Sequence, residues 1–348
     1  MTRQTWTALV AALTFVLLAI ALVALPVPFV TWGPGGTRDT LGAVDDKPMI
    51  EVQGIPTHPT SGRLDLTVVA VTPPGARLSL PQALLAYWLP HRDTLPLDSV
   101  YAPGKSAEQA QAEDADMMST AQDDAVVAAL RADRQPVSTL PAIFSVTVGA
   151  PAHTLLLPGD LVLAVDEVPT PDETAVGRQI RTHRPGDTAT FRVVRQRVET
   201  TVRVPIVEST TQEGLPVVGI SLGQGYRYQP RISFELGQRI GGPSAGLVFA
   251  LAIYDKITTG ELLAGRHVAG TGSITPDGEV GSIGGIQEKI AGAEDAGATV
   301  FLVPAGNCGD LAGVRTDLTL VKVSTLRDAV GALETLQQPG GADRVPRC

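Results

Sequence analysis

Two short segments contain residues whose types and setting could do chemistry. Gly241-Gly242-Pro243-Ser244-Ala245-Gly246 leads into the apolar run Leu247 to Ile253. Pro243 suits a first helical turn, and a run that is apolar all round predicts a buried helix with Ser244 at its N-terminus. Free N–H groups and the helix dipole favour negative charge there, so an oxyanion formed at an attacked carbonyl would be stabilised. A serine at a helix start is by itself more often a cap. A nucleophilic serine also needs a base.

The five histidines (58, 91, 153, 183 and 267) form no motif with an acid. Lysine offers another route. Gly284-Gly285-Ile286-Gln287-Glu288-Lys289-Ile290 through Asp295 reads as a helix opened by two glycines. At about 100° per residue, Ile286, Lys289, Ile290 and Ala293 share one stripe, with Glu288 and Asp295 pointing the other way. Lysine is rarely placed on a buried stripe, and desolvation there disfavours the ammonium. The neutral amine that results could take a proton from Ser244. A lysine snorkelling from the edge of the stripe is the alternative.

The elements that must position this pair are punctuated by glycine and proline. Residues 49–71 alternate like two strands joined by a Pro/Gly/Ser turn around 55–62. Residues 72–116 form a long polar, proline-rich excursion. Met118 to Leu130 has helical spacing, 131–140 reads as a linker, and 141–207 is β-rich. Strands and helices alternate over 213–337, and a polar tail follows. Gly104-Lys105-Ser106 mimics the end of a phosphate-binding loop, but position 99 is Ser where that motif needs Gly, which leaves a solvated loop.

Before this body, Trp6 to Leu25 carries no charge and is long enough at about 1.5 Å per residue to cross a bilayer. The apolar character continues through Pro26 to Val30 and Trp32, residue types common at the membrane boundary. Arg3 precedes the span and Asp39 is the first acid after it, which favours a cytoplasmic N-terminus and an exported body at the cell membrane. A cleaved signal peptide is the alternative. Five residues ahead of the span cannot supply an ATPase, so an exported activity is expected to be independent of ATP.

Composition narrows the rest. The chain has 348 residues, net charge −9, 44% hydrophobic residues, 36 Gly and 27 Pro, which excludes a disordered or collagen-like chain. The basic residues are scattered, so nucleic acid is not an expected partner. Two cysteines cannot build a cysteine-rich zinc site, and neither a metal nor a cofactor is expected.

Val146-Thr-Val-Gly149-Ala-Pro151-Ala152, followed by Leu157-Pro158-Gly159-Asp160 and the strand ending at Val165-Asp166, resembles a bacterial PDZ domain over about 65 residues. Asp166-Glu167 stands where the family commonly has Asp-Gly or Asn-Gly. The resemblance implies capture of an extended peptide at a sheet edge, with Val148, Gly149 and Ala150 near its end. A generic β-domain without a ligand is the alternative.

Gly-Pro-Ser244-Ala-Gly, Thr271-Gly272-Ser-Ile-Thr, Gly278-Glu-Val280, Gly284-Gly285-Ile-Gln-Glu-Lys289 and Val303-Pro304-Ala-Gly-Asn307 together resemble the proteolytic domain of Lon proteases over about 241–310. The resemblance implies a catalytic Ser244–Lys289 dyad, Thr271 orienting Lys289, and Pro243 and Ala245 forming the nucleophile loop with an oxyanion-binding N–H. Lon enzymes with an attached ATPase typically carry an acid where this chain has Gly241, and many have a basic residue where it has Gln287.

The whole chain resembles membrane-anchored, PDZ-containing Lon-like peptidases, an α+β architecture with a transmembrane helix and a PDZ domain inserted in, or preceding, the protease domain. The expected organisation is a cytoplasmic N-terminus (1–5), a membrane anchor (6–31), the first part of the Lon-type domain (36–134), the PDZ domain (135–207), the dyad-bearing Lon-type part (208–337) and a tail (338–348). The implied function is membrane-tethered, ATP-independent serine endopeptidase action on proteins or peptides, with a homo-oligomer as in Lon-type domains. A non-catalytic PDZ peptide-binding protein or a protease-fold scaffold is the competing reading. In an exported compartment, Cys308 and Cys348 are expected to pair and pin the tail; a buried apolar Cys308 with a loose or interchain Cys348 thiol is the alternative.

Overall fold

A computed structural model describes residues 2–348 except 74, 77, 103, 238 and 239. Two compact units emerge: Met1–Arg134 with Pro230–Cys348, and Gln135–Gln229. The second unit therefore interrupts the chain of the first.

The first unit begins with the helix Arg3–Ala24, 22 residues long and with no buried residue. Among the described residues it is the one helix long and apolar enough to cross a membrane, a test that a signal sequence also passes. The apolar segment from 26 to 31 does not extend it. Pro26 and Pro28 cannot continue a helix, and Phe29–Asp39 is a sheet strand with Val30 buried. Trp32 thus belongs to the folded body and not to the membrane boundary.

The central sheet has the order Thr319–Val323, Val300–Pro304, His267–Gly270, Arg63–Val71, Phe29–Asp39 and Asp93–Pro96. The first four strands are parallel, and the last two continue antiparallel. Ile50–Gln53 does not form a hairpin with Arg63–Val71, as the alternation suggested. It pairs instead with Arg231–Phe234, from beyond the inserted unit. The expected helix over 118–130 is much longer, Ala107–Ala132, and starts from a capping box of Ser106 and Gln109. Ser106 is therefore a cap, and the neighbouring Lys105 pairs with Glu113 at 2.6 Å on the surface. The expected linker 131–140 is largely structured, because the helix Ala107–Ala132 runs into its start and the strand Val137–Val146 takes up its end.

The expected tail is docked. Val345 is buried, Lys322 N–H donates to the Pro346 carbonyl at 2.9 Å, and Cys308 and Cys348 are bonded with 5.0 Å between their Cα atoms.

The second unit is a sheet in the order Val198–Pro205, Thr188–Arg195, Leu161–Val165, Val137–Val146 and Ile220–Tyr228, with the short helix Glu173–Ile180. Phe191, Val162, Val165, Val176 and Ile206 lie in its core. Buried Asp160 accepts two hydrogen bonds from the Arg195 guanidinium at 2.8 and 2.6 Å. Asp166 and Glu167 both take left-handed φ, +50° and +64°, so the turn forms without glycine.

This unit runs to Gln229, past the expected end at 207. Its last strand is hidden in the sequence by glycines at 219, 223 and 225. Gly225 has no room for a side chain, since a Cβ would lie 2.4 Å from Leu161 Cδ2 and 2.7 Å from Ala142 Cβ. Tyr228 pairs with Val137, so the chain arrives and leaves at neighbouring positions.

Candidate active site

The serine precedes its helix and is not part of it. The helix spans Gly246–Ile257, and Pro243 and Ser244 lie in the turn before it, closed by Gly246 N–H on the Pro243 carbonyl at 3.3 Å. Pro243 therefore stops the chain short of the helix rather than forming its first turn. The helix interior from Leu247 to Ile253 is buried throughout. Gly246 allows it to dock closely, since a Cβ there would meet Ile274 Cγ2 at 2.9 Å.

A second segment clasps the serine turn. Gly272 N–H donates to the Ser244 carbonyl at 2.8 Å, and Leu247 N–H donates to the Gly272 carbonyl at 3.0 Å. Gly272 has φ +149° and lies against Val280 and Leu247, a setting that only glycine fits. The Thr271 hydroxyl donates to the same Ser244 carbonyl at 3.0 Å.

The lysine helix, Ile286–Asp295, begins at Gly285 with φ +68°. A Cβ at Gly285 would strike Val69 at 2.6 Å, one at Gly284 would meet the Trp32 ring at 2.9 Å, and one at Gly292 would touch the Gly35 carbonyl at 2.7 Å. The glycines thus let the helix lie on the strands Arg63–Val71 and Phe29–Asp39. Buried Asn307 fixes its approach, with Ile283 N–H donating to Asn307 Oδ1 at 3.0 Å and Asn307 Nδ2 donating to the Ile283 carbonyl at 2.9 Å. Gln287 Nε2 donates to the Asp310 carbonyl at 2.7 Å.

Lys289 is 3% exposed. Its Nζ lies 2.7 Å from Ser244 Oγ and 2.9 Å from Thr271 Oγ1. Burial pushes the amine down to about 8, so an appreciable fraction is neutral near neutrality. Glu288 was expected on the solvent side and is buried. The helix is covered on that flank too, and burial, followed by Asp93, raises the Glu288 carboxyl.

Ser244, Lys289, Ala245, Gly241 and Gly242 line a cleft of about 440 Å³, together with Trp32, Val69, Tyr101, Asp114 and Met118. No histidine lines it among the described residues. His267 instead binds buried Asp65 at 2.9 Å. Among the described residues, the N–H groups of Ser244 and Ala245 meet no acceptor. Sequence reasoning missed Asp114 and Trp32. Asp114 lies on the long helix against Gly241, and its carboxyl is raised by burial, then by Glu113. Pro26 and Pro28 were the available signal that Trp32 lies beyond the apolar helix.

The expected peptide-binding residues lie in the other unit. Val148 and Gly149 are exposed at a turn, and Ala150 packs where a side chain on Gly219 would go.

Residues 239–334 match the model of the Lon protease (S16) C-terminal proteolytic domain, and residues 121–206 match that of the PDZ domain. Lon protease 2 of Syntrophobacter fumaroxidans is 34% identical over 110 residues, 30% of this chain and 14% of that protein. Lon protease 2 of Herpetosiphon aurantiacus is 40% identical over 93 residues, covering 26% and 11%. The chain thus spans only a small part of these relatives' length. The crystal structure of the PDZ domain of the SdrC-like protein from Listeria monocytogenes is 22% identical, with a TM-score of 0.22, covering 24% of this chain and 85% of that one. The chain carries a Lon-type proteolytic domain and a PDZ domain.

Proposed function

We propose that the protein is a membrane-tethered, exported serine endopeptidase that cleaves peptide bonds without ATP through a Ser244–Lys289 dyad. The observation that carries this reading is a buried amine, pushed down to about 8, at 2.7 Å from the hydroxyl of a serine in an open cleft. Neutral Lys289 takes the proton from Ser244 Oγ as the oxygen attacks the scissile carbonyl carbon. The tetrahedral oxyanion is received by the N–H groups of Ser244 and Ala245. The Lys289 ammonium then gives its proton to the departing amine and leaves an acyl-enzyme. Water, deprotonated by the same amine, hydrolyses the ester and restores Ser244.

Thr271 positions the base: its oxygen accepts from Lys289 Nζ while its hydroxyl hydrogen is directed at the Ser244 carbonyl. That arrangement leaves Lys289 a single productive direction, toward Oγ. Tethering is supported by the exposed apolar helix Arg3–Ala24, and export by the Cys308–Cys348 bridge, a bond that persists in oxidising compartments. The PDZ unit binds substrate or regulatory peptides in this reading.

Incubation of the purified full chain with an unfolded protein, in the absence of nucleotide, tests it. Fragments from wild type and none from Ser244→Ala are expected. Equal fragment yields from both, or none from either, would support a non-catalytic peptide-binding protein instead.

A further inference from the structure

We propose that the outer face of the helix Leu80–Trp88 is a second membrane contact, lying in the interfacial layer of the same bilayer that Arg3–Ala24 spans. The proposal rests on the membrane-spanning reading of that first helix.

The helix is apolar in the wrong direction for a water-soluble body. Its buried positions are the small residues Ala83 and Ala86. Its large residues point outward: Leu84, Leu85 at 59%, Tyr87 at 69% and Trp88 at 75% exposure, followed by exposed Leu89. A surface helix normally shows the reverse, with the large apolar side chains inside. The inversion is not a frayed end, because a capping box of Ser79 and Gln82 and Pro81 in the first turn fix the helix start. No charged residue occurs from Leu78 to Pro90. A contiguous exposed apolar patch of this kind marks an interaction surface.

Connectivity identifies the partner as lipid. Leu25 ends the spanning helix, and the next two residues pair with the two that precede Leu80: Pro26 opposite Ser79 and Val27 opposite Leu78. The helix Leu80–Trp88 also packs directly on Arg3–Ala24. Its apolar face is therefore continuous with the exposed surface of Val23 and Leu25 at the point where the chain leaves the bilayer. Tyr and Trp at that level are the side chains that settle among headgroups, with apolar rings and a polar edge. The contact would also set the height of the cleft, since only six residues separate Leu25 from Trp32, at most about 23 Å of extended chain from one Cα to the other.

The chain contains three tryptophans: Trp6, Trp32 and Trp88. Full-length protein is reconstituted in phosphatidylcholine vesicles with and without bromine on the upper acyl chain, and tryptophan emission is read. Trp6→Phe leaves Trp88 to report, Trp88→Phe leaves Trp6, and the double variant gives the Trp32 background. Bromolipid is expected to reduce both the Trp88 and the Trp6 signals about twofold, as for rings at the lipid interface. Quenching of Trp6 without quenching of Trp88 overturns the docking and leaves the span standing. Quenching of neither overturns both. Unquenched Trp88 in a dimer that Leu85→Gln dissociates overturns the lipid contact in favour of a second copy of the chain.

Discussion

A side chain at position 241 would collide with Asp114: a Cβ on Gly241 falls 2.9 Å from Asp114 Cβ. Gly242 N–H also donates to the Asp114 carbonyl at 3.2 Å. The serine loop is thus seated on the long helix Ala107–Ala132, and the acid carried at this loop position by ATPase-linked Lon enzymes would have no space here. Gly241→Ala is expected to shift the loop and lower kcat/KM on the order of tenfold to a hundredfold, since displacements near 1 Å at a nucleophile cost that much. Combining it with Asp114→Gly should recover most of the loss. An unchanged rate in Gly241→Ala would show that the loop does not depend on this seat.

In the proposed mechanism Lys289 sets the pH dependence. As the proposed base it must be neutral, and burial lowers it to about 8. Thus kcat/KM should climb nearly tenfold per pH unit below about 8 and level off above it. A flat profile between about pH 6 and 9 would argue against a titrating amine.

The same burial has a stability cost. The folded-state value lies below the unfolded one, so the penalty is full below pH 8 and vanishes as pH rises past the unfolded value of 10.5. Lys289→Met should therefore be inactive yet more stable at pH 7, by up to roughly 3 kcal/mol. Thermal melts at pH 7 check this, and a lower Tm would contradict it.

The inserted unit should be removable at its structural borders. Replacing residues 135–229 with a short Gly/Ser bridge leaves the strand partners Ile50–Gln53 and Arg231–Phe234 intact. The variant is expected to melt cooperatively and to cleave short peptides, with protein substrates cleaved more slowly. Removing only 141–207 leaves Ile220–Gln224 without strand partners and should aggregate. An unfolded 135–229 deletion would mean that the first unit needs the second to fold.

The Cys308–Cys348 bond closes a loop with a sequence separation of 40. Denatured, unreduced protein should show no reactive thiol, and Cys348→Ser should lose on the order of 3–4 kcal/mol. Two titratable thiols per chain would contradict the bond.

The pairing of Ser244 with Lys289 was legible because each half announces itself locally: a serine before an all-apolar helix, and a lysine on a buried stripe. What was not legible depends on distant contacts. Asp114 reaches the serine loop from another part of the chain, and no periodicity marks it. The strand Phe29–Asp39 merges with the apolar helix by composition, and the two prolines that separate them are also common at a membrane boundary. Glu288 escaped the helical-wheel argument because the lysine helix is covered on more than one side. Glycines needed for close packing concealed the strand Ile220–Tyr228.

The cleavage rate of Lys289→Arg at pH 9, beside Ser244→Ala, tests the proposed dyad most directly. A guanidinium stays protonated at that pH and cannot accept the serine proton. With both proteins folded, as judged by their melts, Lys289→Arg is expected at the Ser244→Ala background, a loss of about 10²–10⁴-fold or more from wild type. Turnover in Lys289→Arg within tenfold of wild type would contradict the assignment of Lys289 as the general base.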